Sequence, residues 1–201
     1  MDETLLHAAT LEDIFQRKIY GDHAKPSFIT SFADKQQVIK IGVFLRPYLQ
    51  MMLSKLSQLF DIVVYTASEK AYANSILDRI DPYKKYFKKR LYRDRCTKAV
   101  LDNERVVYLK DLRCIQGYSL AQIVLVDNTP LSFALQPENG IPISNYYYDP
   151  SDTKLKWLTQ YLTRQVYFAT DVRECNRQEF NLQFIIDLSL QSQITTVPSS
   201  Q

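Results

Sequence analysis

Two short apolar runs, Ile62-Val63-Val64-Tyr65 and Ile123-Val124-Leu125-Val126, stand out against the polar residues around them. Each is rich in β-branched residues and short, the pattern of a strand covered on both faces. Val38 to Phe44 is similarly β-rich, and Val106 to Leu109 and Ile141 to Ile143 are further strand candidates. Leu49, Met52, Leu53, Leu56, Leu59 and Phe60 recur at helical spacing and predict a helix over 47–60, with Pro47 in its first turn. A second helix is predicted from a Ser68 cap to about Ile80, stopped by Asp81-Pro82. Ser151-Asp152 is positioned to cap a third, which carries Leu155, Leu158, Tyr161 and Leu162. Asn176 with Glu179 three residues on resembles a capping box for a last helix, and Phe184 to Leu188 reads as helix or strand. Residues 8–37 show no clear period and read as a long loop with short elements, and Thr195 to Gln201 reads as a frayed tail.

Apolar strands alternating with amphipathic helices predict an α/β fold: a parallel sheet with helices on both faces. Such sheets bind ligands beyond the carboxyl ends of their strands. Both buried runs end there in polar residues, Thr66-Ala67-Ser68 and Asp127-Asn128.

Composition narrows the picture. The 201 residues fit one domain with a sizeable core. Hydrophobic residues at 46% and charged residues at 23% give a globular balance, not a disordered one. A net charge of +3 is too small to imply nucleic-acid binding by itself. Cys96, Cys114 and Cys175 are odd in number and far apart, which predicts free thiols in a reducing compartment. No apolar run is long enough to cross a bilayer and the N-terminus has no signal-like segment, so a soluble nuclear or cytoplasmic protein is expected.

Four stretches carry chemistry: Asp2-Glu3-Thr4, Thr66-Ala67-Ser68, Lys110-Asp111-Leu112 and Asp127-Asn128-Thr129-Pro130. They offer carboxylates, hydroxyls, an ammonium and an amide. Oxygen ligands suit Mg²⁺, which takes carboxylates together with water and phosphate. A Lys and hydrogen-bond donors suit the charge that develops on a transferring phosphoryl group. Singly, each stretch has a local explanation; Asp127-Asn128-Thr129-Pro130, for one, has the composition of a turn.

In order along the chain, these stretches resemble the haloacid dehalogenase superfamily phosphatases that act on the RNA polymerase II C-terminal domain and related phosphoproteins, with the nuclear envelope phosphatase as a close cousin. Asp2-Glu3-Thr4 matches the end of the opening D-x-D-E-T loop, and VVYTASEKAYANSILDRIDP resembles the second motif block. LYRDRC, YLKDL and VLVDNTPLSFALQPENGIPI resemble the later blocks, and DPSDTKLKWLTQYL with ATDVR resembles the C-terminal helix. The likeness covers residues 2 to about 173, which sets the expected domain at 1–173 and leaves 174–201 as a C-terminal helix and tail.

The resemblance implies a Rossmann-like fold with a central parallel sheet and a small insert. It implies a Mg²⁺-dependent protein serine/threonine phosphatase working through an aspartyl phosphate, with phosphorylated protein segments as partners. Asp2 matches the residue that protonates the leaving alcohol, and its carbonyl touches the metal. Thr66 matches the hydroxyl on the phosphoryl oxygens, and Lys110 the ammonium beside the phosphoaspartate. Asn128 matches a metal ligand with Asp127 next to it. Arg93, and Ser68 near Thr66, match substrate-binding positions.

The family's first Asp and its strand would fall before Met1, so the expectation is a chain lacking the central first strand and the nucleophile. Two forms fit that expectation: an N-terminally truncated and inactive piece of an enzyme, or a non-catalytic phosphopeptide-binding relative. The intact Thr66, Lys110 and Asp127-Asn128 favour truncation. About 40 residues from Leu6 to Leu45 leave room only for a small insert, so an open site is expected. The basic stretch from Tyr83 to Arg95 reads as a solvated helix face, with substrate steering as the second reading and single-stranded nucleic acid as the third. His7 and His23 share no metal-ligand spacing and are expected in packing or loop roles.

Overall fold

A computed structural model describes residues 1–16, 25–101 and 104–184. The predicted residues 185–188, the tail and His23 lie outside them. The chain divides into two compact units, Met1–Cys96 with Ser144–Tyr167, and Thr97–Ile143 with Phe168–Gln201. Among the described residues no helix is long and apolar enough to cross a membrane.

The first unit holds an antiparallel sheet of β1 (Leu6–Thr10), β2 (Phe28–Asp34) and β3 (Gln37–Leu45), in the order β1-β3-β2. The strand expected at 38–44 is present as β3. The expected long loop over 8–37 is corrected: it contains most of β1 and all of β2. Phe28, Thr30 and Phe32 are half-buried while Ile29, Ser31 and Ala33 are exposed, a strict alternation of the kind a one-sided strand shows. Helix α1 (Leu49–Leu56) buries Leu49, Met52, Leu53 and Leu56, the predicted face, but is shorter than 47–60. Tyr48 takes a left-handed conformation (φ 67°) before it, so the helix starts two residues after Pro47.

Strand β4 (Ile62–Tyr65) has the predicted bounds and runs parallel to β5 (Phe87–Leu91). Helix α2 (Lys70–Ile80) connects them and buries Ala73, Ile76, Leu77 and Ile80. The basic stretch is therefore corrected from a helix face to a strand. The Asp81 carboxylate accepts the main-chain N–H groups of Lys85, Tyr86 and Phe87 at 2.7, 2.9 and 3.0 Å, which turns the chain into β5. Lys88 and Lys89 are exposed, and Arg90 binds Asp78 and Asn74 on α2. Helix α3 (Lys154–Arg164) buries the predicted Leu155, Leu158, Tyr161 and Leu162 and packs on α1.

The second unit pairs β6 (Thr97–Val100) with β7 (Val106–Leu109) antiparallel, and β8 (Leu125–Asp127) with β9 (Gly140–Pro142) parallel. Parallel pairing thus occurs at both of the apolar runs that define the α/β pattern. The second run is shorter than expected, because Leu120–Gln122 form a 3₁₀ turn and Ile123 closes it. Leu112, Ile123, Leu125, Phe133 and Leu182 make the core of this unit. Helix α4 (Val172–Phe180) starts at an Asp171 cap, not at Asn176. Asn176 is buried mid-helix and donates to the Glu138 carbonyl at 3.0 Å, which corrects the capping-box reading.

Candidate active site

In the first unit the site begins with a tight turn. The N–H groups of Thr4 and Leu5 both donate to the Met1 carbonyl, and Glu3 takes a positive φ of 52°. A left-handed non-glycine residue is strained and persists only when its surroundings hold it. The Tyr146 N–H donates to the Glu3 carbonyl at 2.8 Å. Arg46 Nη1 reaches the Thr4 carbonyl at 3.0 Å, and the same guanidinium grips both Asp152 oxygens at 3.0 and 2.8 Å. Arg46 is 1% exposed, and a buried guanidinium needs this degree of pairing. Burial works against the Asp152 charge, but its bonds to Arg46 and to the Lys154 N–H hold its carboxyl below the ordinary value. His7 is buried, hydrogen-bonded to Glu3 at 3.0 Å and ringed by Phe44 and Tyr147, the expected packing role.

That turn presents Asp2 to residues beyond the carboxyl end of β4. The Thr66 hydroxyl donates to Ser68 Oγ at 3.0 Å, and Ser68 Oγ donates to one Asp2 oxygen at 2.7 Å. The Tyr72 hydroxyl donates to the other Asp2 oxygen, also at 2.7 Å. Burial, and then the adjacent Asp2 charge, raises the Tyr72 pKa well above its ordinary value, so the phenol keeps its proton. Thr66 is 2% exposed and its N–H pairs with the Leu91 carbonyl, so the head of this relay is anchored in the β4–β5 pair. Ser68 does not cap α2 as expected; Glu69 occupies that position, and the Ser68 hydroxyl faces Asp2 instead. Arg93 is fixed by the Ala67 carbonyl at 2.6 Å and by Glu69 at 2.9 Å, and remains partly exposed. Asp2, Ser68, Tyr72 and Arg93 line an open cleft of about 510 Å³.

The second unit holds Lys110, Asp127 and Asn128. Lys110 directly follows β7, and its N–H donates to the Ser132 carbonyl at 2.7 Å. Its ammonium pairs with Asp127 at the carboxyl end of β8. Both are buried, at 4% and 3% exposure. Burial alone would push Asp127 up. The Lys110 ammonium and the Thr129 N–H, at 2.8 Å from the other oxygen, more than offset that and leave it below the ordinary value.

The structure thus joins Asp2, Thr66, Ser68 and Arg93 in the first unit, and Lys110 with Asp127 in the second. Tyr72 and Arg46 were missed from the sequence. Tyr72 is the third residue of α2, four positions after Ser68 in the loop that enters that helix. Arg46 is a charge set directly after the apolar Val43-Phe44-Leu45, a cue to a buried, paired guanidinium.

Both Asp2 oxygens accept hydroxyl protons, and Asp127 is neutralised by Lys110. Among the described residues no group of three or more His, Cys, Asp or Glu is gathered to hold a metal.

Comparison with known proteins bears on this geometry. The family model described as NLI interacting factor-like phosphatase matches residues 1–173. A CTD small phosphatase-like protein 3 from Caenorhabditis elegans is 36% identical over 182 residues, covering 90% of this chain and 58% of that protein. A CTD nuclear envelope phosphatase 1B from Danio rerio is 34% identical over 173 residues, 86% of this chain and 67% of that protein. The solved structure of Fcp1, an RNA polymerase II CTD phosphatase, aligns with a TM-score of 0.57 at 21% identity, over 99% of this chain and 54% of that one. That last likeness shows the fold. The chain spans little more than half the length of the first of these relatives and of the solved structure.

Proposed function

The chain belongs to the NLI interacting factor-like phosphatase family, and on that premise we propose that its residues form the phosphate-handling part of a protein serine/threonine phosphatase. The observation that carries the reading is the hydroxyl relay from buried Thr66 through Ser68 to Asp2, the last two lining an open cleft. An open cleft admits a phosphorylated side chain still attached to its protein. In this reading Arg93 attracts the phosphoryl group into the cleft, and the Thr66 hydroxyl, turned from Ser68, gives one hydrogen bond to a phosphoryl oxygen. Asp2, oriented by Ser68 and Tyr72, exchanges a proton with the leaving alcohol.

The nucleophile that the resemblance expects is an Asp two positions before Asp2, whose carboxylate attacks phosphorus, releases the alcohol and forms an aspartyl phosphate that water then hydrolyses to free phosphate. In this reading hydrolysis needs that Asp, and the 201 residues supply its surroundings. Magnesium enters only through the family resemblance, where it would neutralise charge on the phosphoryl oxygens. A nuclear or cytoplasmic setting belongs to the same proposal. The alternative, a non-catalytic module that binds phosphorylated segments, is favoured by one observation: Lys110 is already neutralised by Asp127.

Fluorescence anisotropy with a phosphoserine peptide and its unphosphorylated twin tests the shared premise. The phosphopeptide binds the 201-residue chain more tightly, and Arg93→Ala removes most of the difference. Equal binding of the two peptides contradicts the reading.

A further inference from the structure

The far wall of the cleft is built by the β2–β3 hairpin, whose Phe32, Asp34 and Lys35 line it. This hairpin is docked on α2. Thr30 Oγ1 donates to the Ser75 carbonyl at 3.0 Å, the Phe32 ring meets Tyr72 edge-on at 5.3 Å, and the Arg79 guanidinium lies over Phe28 at 5.4 Å. The alternation of β2 therefore turns Phe28, Thr30 and Phe32 to the helix and delivers the hairpin tip to the cleft. Lys35 takes a positive φ of 52° in that tip. Through Phe32 the tip also touches the tyrosine that orients Asp2.

The charges in the cleft differ in their commitments. Asp2 is held by two hydroxyls, and Arg93 is paired with Glu69. No hydrogen bond or ion pair among the described residues engages the Asp34 or Lys35 side chain. Counted together, the lining carries three carboxylates and two cations, a net −1. A phosphoester brings about −1.5 to −2 more. A cleft that collected phosphate by charge alone would have an excess of cations. This one has an excess of carboxylate, with one carboxylate exposed at its lip.

We infer that the hairpin tip is a specificity element, in which Asp34 selects phosphorylated segments that carry a Lys or Arg within two or three residues of the phosphoresidue. This rests on the family reading above. Lys35 and Arg93 face the phosphate, Asp34 takes the substrate's own cation, and acidic or multiply phosphorylated segments are disfavoured at the lip. An exposed pair of this kind is worth about a two- to fivefold change in affinity, and is weakened by salt.

The test measures anisotropy of the 201-residue chain, without added divalent ions, against phosphoserine peptides differing only in flanking Arg, Ala or Glu residues. Unphosphorylated twins are run beside them. The expected order is Arg over Ala over Glu, by about two- to fivefold per step, compressed at high salt. Asp34→Asn flattens the order and Asp34→Lys reverses it, with circular dichroism confirming an unchanged fold at this exposed turn. If phosphopeptides bind better than their twins but the flanks make no difference, or if Asp34→Lys keeps the order, the inference is overturned and the family reading stands. If phosphorylation itself makes no difference, both are overturned.

Discussion

Ser68 donates its hydroxyl to the Asp2 carboxylate at 2.7 Å, joining two residues 66 positions apart in the chain. Tyr72 holds the other oxygen of the same carboxylate at the same distance. A carboxylate gripped from both sides has one orientation, which a proton donor to a fixed substrate atom requires. Because the two hydroxyls share one acceptor, Ser68→Ala and Tyr72→Phe should not add. Each hydrogen bond to a charged group is worth about 1.5–3 kcal/mol, reduced here because Asp2 is only half-buried. A double-mutant cycle by urea unfolding should give a coupling of at least about 0.5 kcal/mol. Additive losses would show that the two contacts act independently.

The opening turn depends on Arg46. Its bidentate grip on Asp152 and its bond to the Thr4 carbonyl tie the turn to the start of α3. Arg46→Ala leaves Asp152 without its partner and should cost about 3–5 kcal/mol. Arg46→Lys should restore little, since one ammonium cannot reproduce the planar fork. The urea midpoint at unchanged slope measures both. A midpoint for Arg46→Lys close to wild type would contradict the fork's role.

Acid should unfold the protein through a small set of carboxylates. Asp81, Asp127 and Asp152 all lie below the ordinary carboxyl value in the folded state. Burial opposes their charge in each case, and donors outweigh it: three N–H groups at Asp81, Lys110 at Asp127, Arg46 at Asp152. Folded values below the unfolded value of about 3.9 mean that the unfolded chain takes up protons first as the pH falls. The stabilisation is therefore full well above pH 4 and is lost as the pH drops through the depressed folded values. Urea unfolding from pH 7 to pH 3 should show Asp152→Asn less stable at pH 7 and less steeply dependent on pH below about 4. Parallel curves for variant and wild type would exclude Asp152 from the acid transition.

What the sequence revealed follows from which forces are local. The Ile62–Tyr65 strand and the faces of α1 and α3 were legible because burial imposes a period on neighbouring residues. The motif residues Asp2, Thr66 and Lys110 were legible by their order. The β2 strand was hidden because Thr30 and Ser31 dilute its alternation, which becomes visible only once Phe28 and Phe32 are seen against α2. The basic stretch looked helical because Lys and Arg fit either a helix face or a strand edge. The Asp81 carboxylate, binding three successive N–H groups, decided for the strand. Tyr72 and Arg46 act on partners distant in the chain, and no local pattern announces such a partner.

The most direct measurement is phosphate release from a phosphoserine peptide by the chain preceded by a β-strand ending in Asp immediately before Met1, set beside the 201-residue polypeptide and an Asp2→Asn version of the extended chain. The account predicts hydrolysis by the extended chain, little by the 201 residues alone, and a loss of about 10²–10⁴-fold on Asp2→Asn, the usual worth of a positioned proton donor. Equal rates with and without the added Asp, or an Asp2→Asn variant as fast as its parent, would contradict it.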